Sequence, residues 1–126
     1  MPDAKTLDRL RKICLAFPEA NERLSHGAPT FFVRDKSPFV MLMDNHHGDG
    51  RLAIWCAAPD GAQEALVASD PDRFFRPPYL GHRGWIGVRL EHPDWKIVAA
   101  IVDDAYRRIA PAKLVARLAT PSPHRA

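Results

Sequence analysis

Thr30-Phe-Phe-Val-Arg-Asp-Lys-Ser-Pro-Phe-Val-Met-Leu-Met-Asp-Asn-His-His-Gly-Asp-Gly-Arg-Leu-Ala-Ile-Trp-Cys56 decides the fold. Three runs in it, 30–33, 39–43 and 51–56, are apolar, aromatic or β-branched. Arg34-Asp-Lys-Ser-Pro38 and Asp44-Asn-His-His-Gly-Asp-Gly50 separate them with turn-forming residues. Short apolar runs between such breakers read as strands joined by tight turns. Residues 30–56 are therefore expected to form a three-stranded antiparallel meander.

Upstream, Leu7, Leu10, Cys14 and Phe17 recur at three- and four-residue steps, which predicts an amphipathic helix over 4–16, stopped by Pro18. Asn21 to Pro29 reads as a connector. Downstream, Pro59 suits a helix start, and Gln63 to Val67 continue that helix. Asp70-Pro71-Asp72 predicts one more helical turn running through Phe74 and Phe75. Trp85-Ile-Gly-Val-Arg-Leu90 reads as a fourth strand, with Ile86, Val88 and Leu90 on a core face and Trp85, Gly87 and Arg89 on the other. Gly87 is expected to leave a gap in which a flat group fits. Asp94 caps a helix whose stripe is Trp95, Val98, Val102, Ala105 and Ile109; Pro111 ends it, and Lys113 to Leu118 suit a short basic helix. The expected order is α-β-β-β-α-β-α. This is one α+β domain over residues 1–118, an antiparallel sheet with helices on one face and the other face open, followed by a disordered tail over 119–126.

Length and composition agree with one domain. The 126 residues are 46% hydrophobic and 26% charged, enough to build a core without a metal or disulfide. Cys14 and Cys56 fall in apolar stretches and read as small core residues with free thiols. Met1-Pro-Asp-Ala-Lys5 lacks the apolar segment of a signal peptide, and no run approaches a membrane span, so a reducing, cytoplasmic setting is expected.

Charge is uneven. Residues 73–89 carry four arginines and no acid, and residues 107–126 carry five basic residues and no acid; with a chain total of +3, the rest stands at −6. Such asymmetry marks an anion-facing side if the two segments meet in space. The first segment interleaves Arg76, Arg83 and Arg89 with Tyr79, His82 and Trp85. Arginine offers a planar fork to phosphate, and tyrosine or tryptophan can stack on a ring. These six residues are the candidate nucleic-acid or anion-binding set, with Arg83 and Arg89 expected on one surface and the basic C-terminal segment expected to contact phosphate with the arginines. The glycines at 81, 84 and 87 do not make a phosphate-binding P-loop, because no Gly-Lys-Ser/Thr follows. His46, His47, Asp44 and Asp49 lack the third ligand of a metal site, and no cofactor is expected. His26 and His82 could approach as an acid–base pair, but no nucleophile accompanies them, so no catalytic residue is assigned.

His26-Gly-Ala-Pro-Thr-Phe31, Asp70-Pro-Asp-Arg-Phe-Phe75, Pro78-Tyr-Leu-Gly81, Arg83-Gly-Trp-Ile-Gly-Val88 and Ala105-Tyr-Arg-Arg-Ile-Ala-Pro-Ala-Lys113 resemble, in order, the MmcQ/YjbR family. The resemblance runs from about Leu7 to Leu118. It implies a frataxin-like (CyaY-like) α+β sheet and brings the label "double-wing DNA-binding", which rests on fold analogy. Many members carry a lysine just after the third strand; here Ala57 and Ala58 stand there. The expected function is a small non-catalytic binding protein, monomeric, with DNA as partner. The alternatives are a domain binding a small anionic ligand, with enzymatic activity in the same cleft, and a protein-interaction module using the open sheet face.

Overall fold

The computed structural model describes residues 4–118. The meander forms as expected. β2 (Ala28–Val33), β3 (Ser37–Asp44) and β4 (Leu52–Cys56) pair antiparallel, with Phe31 opposite Val40 and Leu42 opposite Ile54. Phe39 is left unpaired by a bulge, since Phe31 faces Val40 while Phe32 faces Pro38. A bulge puts two neighbours on one side of a strand. Phe39 and Val40 are accordingly both fully buried, and Phe39 packs edge-on against Tyr106.

Two strands depart from expectation. Ala20–Ser25, read as a connector, is β1, an edge strand paired with β2 from Ala20↔Val33 to Ser25↔Ala28. His26 and Gly27 turn the chain with φ of 51° and 80°. Two positive φ values make a type I′ hairpin turn, and glycine takes the second without strain. β1 then lies against water: Leu24 is 68% exposed. Its charges are tied down instead, with Arg11 of the first helix bonding Glu22 at 2.6 Å and Arg23 bonding Asp35 at 2.6 Å. The other departure is Phe74–Phe75, read as a helical turn but forming β5. Both rings are buried, and a strand sends them to opposite faces of the sheet, which one helical turn does not.

β6 (Ile86–Arg89) lies between β4 and β5, giving the order β1-β2-β3-β4-β6-β5. Helix α1 (Ala4–Cys14) and helix α3 (Trp95–Ile109) cover the face carrying Val40, Leu42, Ile54 and Val88, where Leu10, Cys14, Val98 and Val102 are buried. Asp94 caps α3 by accepting from the backbone N–H of Lys96 at 3.0 Å, as the sequence suggests. The Tyr106 hydroxyl donates to the Pro18 carbonyl at 2.7 Å and ties α3 to the segment after α1. Helix α2 (Ala62–Ser69) packs beside β5, and α4 (Ala112–Val115) is the short basic helix. Cys14 and Cys56 are free thiols in the core, as expected. Among the described residues no helix is long and apolar enough to cross a membrane. The expected tail, 119–126, lies outside the described residues.

The second sheet face is not open along its length. Trp55, Phe75 and Trp85 are buried on it, and the segment from Arg76 to Trp85 folds back towards it. The gap expected at Gly87 is filled from within the chain. A Cβ there would overlap the ring of Phe75, which occupies the space opposite Gly87. Arg51 covers that ring at 4.0 Å and Arg89 approaches it at 5.8 Å.

Candidate functional site

The segment 76–85 is held by backbone bonds and one buried side chain. Gly81 N–H donates to the Pro77 carbonyl at 2.9 Å and Gly84 N–H to the Gly81 carbonyl at 3.0 Å, closing a 3₁₀ turn over Gly81–Arg83. Gln63 of α2, 4% exposed, donates through Nε2 to the carbonyls of Gly81 at 2.8 Å and Trp85 at 2.6 Å. The amide group thus pins both ends of the turn. Tyr79 stands out from it, 69% exposed, with φ of 64°, a conformation rare for a bulky residue.

Between this segment and β3 runs a groove of about 880 Å³, which lies within the size range of small-molecule sites. Met41, Pro38, Leu80 and Trp85 give it an apolar lining. The β2–β3 turn brings Lys36 to one end of β3, and the C-terminal end of α3 contributes Arg108; Arg83 lines the same groove. The turns after β1 and β3 bring His26, His46 and His47 to the other end, where Tyr79 also lies. There the rings meet edge to face: His46 is 4.8 Å from Trp55 and 6.0 Å from Tyr79, and His47 is 6.4 Å from Tyr79. Burial, and next the charge of His47, hold the His46 imidazole below its ordinary pKa. Among the described residues no Asp or Glu lines the groove. Among the described residues no carboxylate lies within ion-pair distance of Lys36 or Arg83, while Arg108 bonds the exposed Asp60 at 2.7 Å.

The six residues singled out in the sequence divide. Tyr79, Arg83 and Trp85 line the groove, Tyr79 and Arg83 exposed and Trp85 buried at 4%. Trp85 is therefore a wall, without an open face for stacking. Arg76 and His82 are exposed in a neighbouring recess of about 330 Å³ that shares Arg83 but is bordered by Asp60 and Glu64. Arg89 lines neither recess; it is half-buried beside Phe75, and its Nε has no hydrogen-bond partner among the described residues. His26 and His82 fall in different recesses and do not form a pair. Lys36, which was not among the expected residues, joins the groove from a turn, and Arg108 of the second acid-free segment joins it from a helix end. The two acid-free segments do meet, through Arg83 and Arg108. Among the described residues no group of three His, Cys, Asp or Glu side chains is placed to hold a metal.

The model of the family described as YjbR matches residues 15–108. The crystal structure of Deinococcus radiodurans protein DR2400, which carries a DUF419 domain, is similar in fold: the TM-score is 0.70 at 17% identity, over 92% of this chain and 89% of that one. No curated protein matches the chain.

Proposed function

The chain belongs to the YjbR family, and we propose that it is a non-catalytic binding protein that takes an anionic ligand in the groove between β3 and the Tyr79–Trp85 segment. The observation that carries this reading is the lining: Lys36, Arg83 and Arg108 converge from three separate segments on one concave space that no acid among the described residues lines, Arg108 being bonded to Asp60 outside that lining. Scattered surface cations are normally solvated or paired one by one. Three cations around a partly apolar cleft provide charge where water is displaced and where an anion is held more strongly than on an open surface. Arginine supplies the bidentate fork that suits phosphate or carboxylate.

The test is titration of the full chain with inorganic pyrophosphate at low salt, followed by calorimetry. Wild type binds, and Lys36→Ala and Arg83→Ala each weaken binding about tenfold, in the range of a charge-assisted hydrogen bond. Absence of any heat or chemical-shift change at millimolar pyrophosphate refutes the reading.

A second reading, duplex DNA, is favoured by the exposed Arg76, His82 and Arg83 on the neighbouring recess. Asp60 and Glu64 on the same recess repel phosphate, and Trp85 is too buried to act as a wedge, so this surface suits a duplex less well than the groove suits a small anion. For DNA, affinity for mixed-sequence duplex falls steeply with salt, and Arg83→Ala lowers the slope of log affinity against log salt by about one.

A further inference from the structure

The groove is not uniform along its length. Its cations and its rings are set apart along β3: Arg83 borders a recess with Asp60, the partner of Arg108, while the rings gather by Trp55. Lys36 precedes Ser37, the first residue of the strand, and Arg108 belongs to the same end, since its partner Asp60 follows the C-terminus of β4, where Cys56 faces Val40. The ring cluster folds back over Trp55, whose strand partner is Met41. Pro38, Phe39 and Val40 separate Ser37 from Met41, four steps or about 13 Å at the strand rise, slightly less across the bulge at Phe39. Over that interval the lining is apolar: Pro38, Met41 and Leu80.

Resting on the anion-binding reading above, we infer that the ligand is a free nucleotide, its base on the Tyr79–His47 end and its phosphate between Lys36, Arg83 and Arg108. A bare anion would use the cations and leave the rings unexplained. Tyr79 is the most exposed large apolar side chain of the described residues, with Leu24 beside it in rank. It is held out in the left-handed region two residues before the Gly81–Trp85 turn that Gln63 fixes at both ends. A ring face so presented next to two imidazoles is a stacking shelf, and every base has a face to offer it. The separation of shelf and cations also argues against a continuous strand. A nucleic-acid strand repeats its phosphates, and a groove tracking it repeats its cations between the bases. Here the cations gather at one end and one shelf stands at the other.

The probes are the four nucleoside 5′-monophosphates and ribose 5-phosphate, titrated into the full chain by calorimetry at low salt. At least one nucleotide binds about 5- to 150-fold more tightly than ribose 5-phosphate, the contribution of one stacked base. Tyr79→Ala removes that difference and leaves ribose 5-phosphate binding unchanged; Tyr79→Phe, which keeps the ring, retains it. Lys36→Ala weakens nucleotides and ribose 5-phosphate alike. On nucleotide addition, but not with ribose 5-phosphate, the His47 ring protons shift upfield. If ribose 5-phosphate binds as well as every nucleotide, the base has no place and the inference is overturned while the anion site stands. If neither binds, the anion site falls with it. A single-stranded tetranucleotide binding more than tenfold tighter than the best nucleotide overturns the assignment of a free ligand.

Discussion

Gln63→Met removes the two bonds that fix the groove wall and keeps the volume of the buried side chain. The Trp85 carbonyl accepts from Gln63 at 2.6 Å and is left without its donor beside a buried indole. An orphaned buried carbonyl costs about 1–3 kcal/mol. The Gly81 carbonyl still accepts from Gly84 N–H, so its share is a single lost bond, about 0.5–1.5 kcal/mol. Together the change costs about 2–4 kcal/mol. An unfolding entropy of about 2.1 cal/mol/K per residue gives a chain of this length about 4 °C per kcal/mol, so Tm falls by about 8–15 °C. Urea and thermal melts followed by far-UV circular dichroism measure the loss. Hydrogen exchange locates it, because the amides of Gly81, Gly84 and Trp85 lose protection while those of β3 and β4 change only with global stability. A fall in Tm below about 2 °C, or unchanged protection at those three amides, refutes the pinning argument. Anion affinity in the variant falls with it, since Arg83 lies between the two pinned carbonyls.

Gly87→Ala forces a methyl into the Phe75 ring and destabilises the protein by about 1–3 kcal/mol in urea unfolding; a double-mutant cycle with Phe75→Leu shows less than additive loss, and strict additivity contradicts the contact. Cys14 and Cys56 are buried, and burial raises both thiol pKa values, so an aromatic disulfide reagent at pH 8 modifies them only as fast as the chain unfolds; a rapid native-state reaction of either refutes this. The depressed pKa of His46 means that the unfolded state binds the proton more readily, so the stability it contributes is present above pH 6.5 and fades as the pH falls below that value. Proton NMR of the His46 ring gives a midpoint below 6.5, and a midpoint at or above it is contrary.

The meander was legible because each of its runs is buried and bounded by turn formers, and the helices because Leu10, Cys14, Val98 and Val102 keep helical spacing. β1 escaped because Asn21-Glu-Arg-Leu24 is an edge strand facing water on its apolar residue; the readable clue was the His26-Gly27 turn. β5 is two residues long, too short for any period to show. Alternation along β6 placed Gly87 and Arg89 on the correct side of the sheet, yet it carried no information on Phe75, which reaches Gly87 from a neighbouring strand. The same limit applies to the groove. Tyr79 and Arg83 stood out as part of an acid-free run, but Lys36 joins them through the fold alone, and Arg108 was visible only as part of a second basic segment. The glutamine that holds the wall looks in sequence like any helical residue.

The strand order also sets a sequence of events in time. β1 to β4 are joined by short turns, so each hairpin closes cheaply and early. β6 reaches β4 only after the excursion of residues 57–85, the longest between paired strands of the described residues, and β5 within it pairs only with β6. That excursion carries Gln63, Tyr79 and Arg83, so the groove is complete only once the strand pairing of greatest sequence separation has formed. A ligand held there meets nothing in the half-folded chain. Its binding energy goes into the barrier to unfolding and leaves the folding rate untouched, so occupancy of the site lengthens the lifetime of the folded protein without hastening its birth.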